Sequence, residues 1–130
     1  SLPRQTRAVI ERFLAIAGDP EGAATKLHAF ARDANIALAP VLELFESRIR
    51  SLAARGVALR RIHFSTAFGR GLDYYTGFVF ELHDPRAQTD GPLVAGGRYD
   101  QLLTRLGSAR AISAVGFAVW IERLAARSAP

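Results

Sequence analysis

The residues best equipped for chemistry lie together in Arg70-Gly71-Leu72-Asp73-Tyr74-Tyr75-Thr76-Gly77. This stretch supplies a guanidinium between Gly69 and Gly71, a carboxylate and paired phenols, then runs on as Phe78-Val79-Phe80-Glu81. Glycine on either side of Arg70 lets the backbone bend around it. From Tyr75 onward the pattern predicts a strand, whose side chains alternate between faces. Tyr75, Gly77, Val79, Glu81 and His83 then share one face, and Tyr74, Thr76, Phe78, Phe80 and Leu82 the other. The second set suits a core. The first sets a phenol, a gap and a carboxylate in a row, which suits a small polar ligand. Further on, Gly96-Gly97 is expected at a strand-to-helix junction. There, unpaired N–H groups and close backbone approach could receive a carboxylate or phosphate, or the pair could simply make a tight turn.

Two more stretches follow in order, Ala95-Gly96-Gly97-Arg98-Tyr99-Asp100 and Ala114-Val115-Gly116-Phe117-Ala118-Val119-Trp120-Ile121-Glu122-Arg123-Leu124. With the Arg70 segment they resemble motifs of histidyl-tRNA synthetases and of their paralogues, the regulatory subunits of ATP phosphoribosyltransferase. Three ordered matches are far more specific than one. The resemblance implies roles for single residues. Arg70 matches the arginine facing the carboxylate and α-phosphate of the activated amino acid, groups that a guanidinium can grip with two parallel hydrogen bonds. Tyr75 matches the tyrosine that hydrogen-bonds the imidazole ring. Gly96, Gly97 and Tyr99 match the segment lining the histidine pocket. Tyr74 stands with these candidates, and it and Asp73 are expected to brace the loop.

The third stretch separates the two branches. Ala114, Gly116, Ala118 and Trp120 share a strand face opposite Val115, Phe117 and Val119. In class II synthetases the small-residue face lies against ATP, and glycine is expected where this chain has Trp120. Arg123 matches the arginine that contacts the γ-phosphate. Gly116, Trp120 and Arg123 therefore read as a degenerate nucleotide site, its adenine space filled by indole, unless the strand has already twisted toward the following helix at Trp120. The earlier synthetase motifs are missing, so the chain resembles the C-terminal half of a catalytic-type domain, beginning in the short helical insertion. A synthetase is expected to continue from this motif into an anticodon-binding domain, and the regulatory branch is not.

The elements that must hold these residues fall into two regions, read as one partial domain over 1–130. Residues 1–56 predict a helical segment. Val9, Ile10, Phe13, Leu14 and Ala17 form the first stripe, stopped by Gly18. Asp19-Pro20 reads as a cap and first turn for a helix carrying Leu27, Phe30 and Ala31. Pro40 opens a third helix with Val41, Phe45, Ile49 and Leu52, ending at Gly56. Residues 57–130 predict a sheet with helices: a strand over Leu59 to Thr66, the strand from Tyr75, and a turn-rich connection from Asp84 to Gly91. A short strand at Leu93-Val94-Ala95, a helix with Leu102, Leu103 and Leu106 closed by Gly107, a strand over Ile112 to Trp120 and a final helix complete it. The order predicts α+β, a class II aminoacyl-tRNA synthetase-like antiparallel sheet flanked by helices.

Composition limits the alternatives. The chain has 130 residues and a formal charge of +5, and every basic residue but Lys26 is arginine. The arginines are scattered, Arg60-Arg61 being the only adjacent pair, which reads as solvated faces and salt bridges, with no nucleic-acid stripe. There is no cysteine, hence no disulfide or thiolate metal site, and no apolar run long enough to span a bilayer. His28, His63 and His83 lack metal-ligand spacing, and neither metal nor cofactor is expected. The expectation is a non-catalytic, cytoplasmic regulatory subunit of ATP phosphoribosyltransferase, in a hetero-oligomer with the short-form catalytic subunit and with histidine as feedback ligand. A histidyl-tRNA synthetase fragment and a synthetase-like tRNA-binding regulatory domain are the alternatives.

Overall fold

The computed structural model describes residues 2–71, 74–86 and 91–128. These divide into two compact units, Ser1–Gly69 and Arg70–Pro130. Asp73 and Asp90 lie outside the described residues.

The first unit holds α1 (Arg4–Leu14), β1 (Ala17–Gly18), α2 (Pro20–Asp33), α3 (Ala39–Ala54), a 3-10 turn (Leu59–Arg61) and β2 (Phe64–Ser65). Asp19 caps α2 as expected, its side chain accepting from Gly22 N–H at 2.9 Å, with Pro20 in the first turn. Ile16, Leu27, Phe30 and Leu42 form the core, with Val9, Phe13, Phe45 and Phe64 packed against it. Phe13 meets Phe30 at 5.5 Å between ring centroids, and Phe45 meets Phe64 at 4.8 Å.

Three expectations need correcting here. Val41 is 62% exposed, while its neighbour Leu42, at 3%, faces the core. The strand expected from Leu59 to Thr66 is a 3-10 turn followed by a two-residue strand. Gly18 does not end α1, which stops at Leu14; it lies in β1, at φ +139°, paired antiparallel with Phe64. Thr66 fastens the second segment to the first, its hydroxyl donating to Phe13 O at 2.5 Å.

The second unit is a three-stranded antiparallel sheet in the order β3 (Val79–Leu82), β4 (Val94–Arg98), β5 (Val115–Val119), with α4 (Leu102–Arg105) and α5 (Ile121–Ser128). This is the α+β, antiparallel arrangement that the element order predicts. The register sets Val79 beside Gly97 and Gly97 beside Gly116; Glu81 pairs with Ala95 and Ala95 with Ala118. Directly paired residues share a face. Val79, Glu81, Ala95, Gly97, Gly116 and Ala118 therefore lie on one side. Phe80, Leu82, Val94, Gly96, Phe117 and Val119 lie on the other, which is strongly apolar, and Phe117 there is 69% exposed. Gly107, at φ +103°, follows α4 as a left-handed stop.

Candidate functional site

The small-residue face of the sheet is roofed by tyrosines. Tyr74 and Tyr75 have ring centroids 4.6 Å apart, and Tyr99 stands edge-on to Tyr74 at 5.6 Å. Tyr75 and Tyr99 are 6.4 Å apart. The Tyr74 hydroxyl donates to that of Tyr75 at 3.5 Å. That hydrogen bond, helped by partial removal from water and opposed by Arg70, raises the Tyr74 phenol above its usual value. It therefore remains a neutral donor at physiological pH.

The glycines explain how the rings come so close. A Cβ on Gly97 would sit 2.6 Å from Phe78 O and 2.9 Å from Tyr75 ring carbons. One on Gly116 would run into the Tyr99 hydroxyl. Both positions therefore give room to a tyrosine laid against the sheet. Gly96 faces the opposite side, where a Cβ would meet Phe117 Cβ at 2.7 Å. The expected strand-to-helix junction is corrected as well. Gly96 and Gly97 lie inside β4, hydrogen-bonded to strands on both sides, and α4 begins only at Leu102. Their N–H groups belong to the ladder, so the pair offers no helix N-terminus.

Asp100 ties the three strands' ends together. Its Oδ2 accepts from Arg98 Nε at 2.6 Å and its Oδ1 from Ala114 N–H at 2.9 Å, while its own N–H donates to Thr76 Oγ1 at 3.0 Å. Arg98 reaches Ser113 Oγ at 3.1 Å. The Arg98 hydrogen bond, then the Ala114 N–H, lowers the Asp100 carboxyl below its ordinary value. Tyr99 sits between these two bracing residues, which holds its ring in place. Arg98 and Asp100 belong to the motif around Tyr99, but their types alone assign neither a task. The signal was their position flanking Tyr99.

Arg70 donates from Nη1 to Glu81 Oε1 at 2.7 Å, and Glu81 Oε2 pairs with His83 Nε2 at 3.0 Å. At the far end, Trp120 N–H donates to Leu93 O at 2.9 Å, so interstrand bonding runs one residue beyond β5 and Trp120 keeps backbone alternation with Gly116 and Ala118. The Arg123 guanidinium lies 5.0 Å from the Trp120 ring centroid and donates to Pro92 O at 2.5 Å. The structure thus brings Tyr74, Tyr75, Gly97, Tyr99 and Gly116 together, with Gly96 turned away. Trp120 and Arg123 form a pair of their own.

Among the described residues no group of His, Asp or Glu could hold a metal ion, and no helix is long and apolar enough to cross a membrane.

Residues 1–124 match the sequence profile described as histidyl-tRNA synthetase. Proteins of Brucella canis and Brucella melitensis biotype 1 named ATP phosphoribosyltransferase regulatory subunit are each 44% identical over 124 residues, covering 95% of this chain and 33% of theirs. A crystal structure described as a histidine–tRNA ligase subunit from Alicyclobacillus acidocaldarius superposes with a TM-score of 0.53. It is 34% identical, and the match covers 98% of this chain and 34% of that one. The chain therefore spans about a third of the length of these relatives. By the extent of the profile match, this chain belongs to the histidyl-tRNA synthetase family.

Proposed function

We propose that this chain forms the histidine-facing part of a regulatory subunit of ATP phosphoribosyltransferase, a family member that performs no aminoacylation. The observation that carries the reading is the state of Arg123. Its guanidinium is engaged by Pro92 O and by the face of Trp120, whereas a synthetase would need that charge for the γ-phosphate of ATP. Trp120 shares strand parity with Gly116, so its indole would occupy the adenine space. The names of the relatives at 44% identity favour the same branch.

On this reading Tyr75 and Tyr99 present hydroxyls to the imidazole of histidine, and Arg70 meets its carboxylate. Histidine then acts as a feedback ligand, while the glycosyl transfer itself, joining ATP to phosphoribosyl pyrophosphate, belongs to a short-form catalytic partner in a cytoplasmic hetero-oligomer. The rest of the histidine site would come from family motifs outside these residues.

The test mixes the full-length polypeptide carrying this chain with the catalytic subunit at micromolar concentration. Co-elution, stimulated activity and inhibition by histidine are expected. Separate elution with unchanged activity would remove the assignment. A second reading, a true synthetase, is favoured by the likeness to a histidine–tRNA ligase subunit. Histidine-dependent pyrophosphate exchange by the unmutated protein would establish it instead.

A further inference from the structure

Arg70 stands between two glycines, and its side chain is largely buried, at 18% exposure. A Cβ added at Gly69 or at Gly71 would meet nothing within 4 Å. What restrains Arg70 is its side chain. Its hydrogen bond to a described residue runs from Nη1 to Glu81 Oε1 at 2.7 Å. Glu81 is borne by β3, bonded along its length to β4, and its second carboxylate oxygen is held by His83 Nε2 at 3.0 Å. The two partners are largely screened from solvent, at 18% and 22% side-chain exposure.

The grip is one-sided. A guanidinium offers five N–H donors in a planar fork, and Glu81 takes one nitrogen. Arg70 Nε is sealed from solvent and has no acceptor among the described residues. A buried donor without an acceptor is unfavourable, so the described residues hold Arg70 in place yet leave it short of oxygen atoms. On the same face, Glu81 is paired across the sheet with Ala95 and, one strand further, Ala118 is next in line. Ala95 is covered, at 2% exposure, and the face opens to solvent only at Ala118.

We propose that Glu81 is a positioning residue that aims Arg70 at the carboxylate of the bound amino acid, with His83 steadying Glu81 from the other side. This rests on the histidine reading given above and deepens it. Discrimination for the carboxylate would then depend on a residue that need not touch the ligand.

The experiment measures, by calorimetry on the full-length polypeptide, the affinity for histidine and for histamine, which lacks the carboxylate. Glu81→Ala should weaken histidine roughly tenfold, the scale of one charge-assisted contact, and leave histamine unchanged. Glu81→Gln keeps an acceptor for Nη1 and should retain the preference for histidine. If both ligands weaken together in Glu81→Ala, or neither does, Glu81 supports the fold alone and the proposal fails. Loss of the preference in Glu81→Gln as well would also overturn it, because the hydrogen bond would not be what aims Arg70. Failure of the unmutated protein to bind histidine would instead overturn the histidine reading, and this inference with it.

Discussion

The hydroxyl of Tyr99 occupies the space where a side chain on residue 116 would begin, and residue 116 is glycine. One strand over, the ring of Tyr75 stands in the same relation to Gly97. The tyrosine roof and the glycine floor are therefore a single packing arrangement, made on the backbone of β4 and β5.

Alanine at these positions should have unequal effects. At Gly97 the new methyl group meets the Phe78 carbonyl as well as the Tyr75 ring, and backbone cannot step aside. Gly97→Ala should lower stability by about 1–3 kcal/mol, the range for overpacking, read from urea denaturation. At Gly116 the obstacle is the tip of a side chain, so Gly116→Ala should cost less stability and displace Tyr99 more. Equal melting shifts for both variants would contradict this.

Tyr75→Phe should weaken histidine binding by the net value of one hydrogen bond, roughly 0.5–1.5 kcal/mol or several-fold in Kd. Arg70→Lys should weaken it further, because an ammonium cannot make the paired contact of a guanidinium. Unchanged affinity in both variants, measured by calorimetry, would move the histidine site to another surface.

On the proposed reading, Trp120→Gly should free the adenine space and release Arg123 from its aromatic partner. Weak binding of an adenine nucleotide is expected, without restored amino-acid activation. The indole is only partly buried, so the loss of stability should fall below the ~3–5 kcal/mol of a fully packed aromatic. Nucleotide affinity equal to that of the unmutated protein, in a folded variant, would show that Trp120 does not bar the site.

Asp100 predicts an acid-sensitive bracket. Its carboxyl is held below the ordinary value of 3.8, first by the Arg98 hydrogen bond and then by the Ala114 N–H. A carboxyl lowered on folding stabilises fully above its unfolded value, and that stabilisation disappears as pH falls through the lowered folded value. Melting temperatures of the unmutated protein and of Asp100→Asn should therefore differ at neutral pH and converge in acid. Parallel curves across the whole range would dismiss the bracket as a source of stability.

Much of this architecture could be read directly from residue order. Asp19-Pro20 marked the start of α2, and Gly107 marked a left-handed stop, because caps are local events with local chemistry. The two-residue pairing of Ala17–Gly18 with Phe64–Ser65 left no such trace, since a strand that short has no period and its partner is remote in sequence. Gly96-Gly97 read as a strand-to-helix junction because glycine disfavours strand interiors. Only the folded sheet reveals that a tyrosine ring needs the space beside Gly97. The face shared by Val79 and Glu81 was visible from alternation. The strand expected from Tyr75 begins only at Val79, however, and Tyr74 packs beside Tyr75 instead of on the opposite face. The return of Arg70 to Glu81 likewise left no trace in the pattern.

The packing of Tyr75 on Gly97 and of Tyr99 on Gly116 bears on how such a sequence can diverge. These glycines are constrained by their own neighbouring tyrosines, with no reference to a reaction being catalysed. A descendant that abandons amino-acid activation gains no freedom to replace them, since substitution would disturb the sheet before it touched any substrate. Selection can therefore rewrite residues outside this packing while the glycine–tyrosine signature persists unchanged. The signature records how the sheet is packed, whatever becomes of the chemistry beside it.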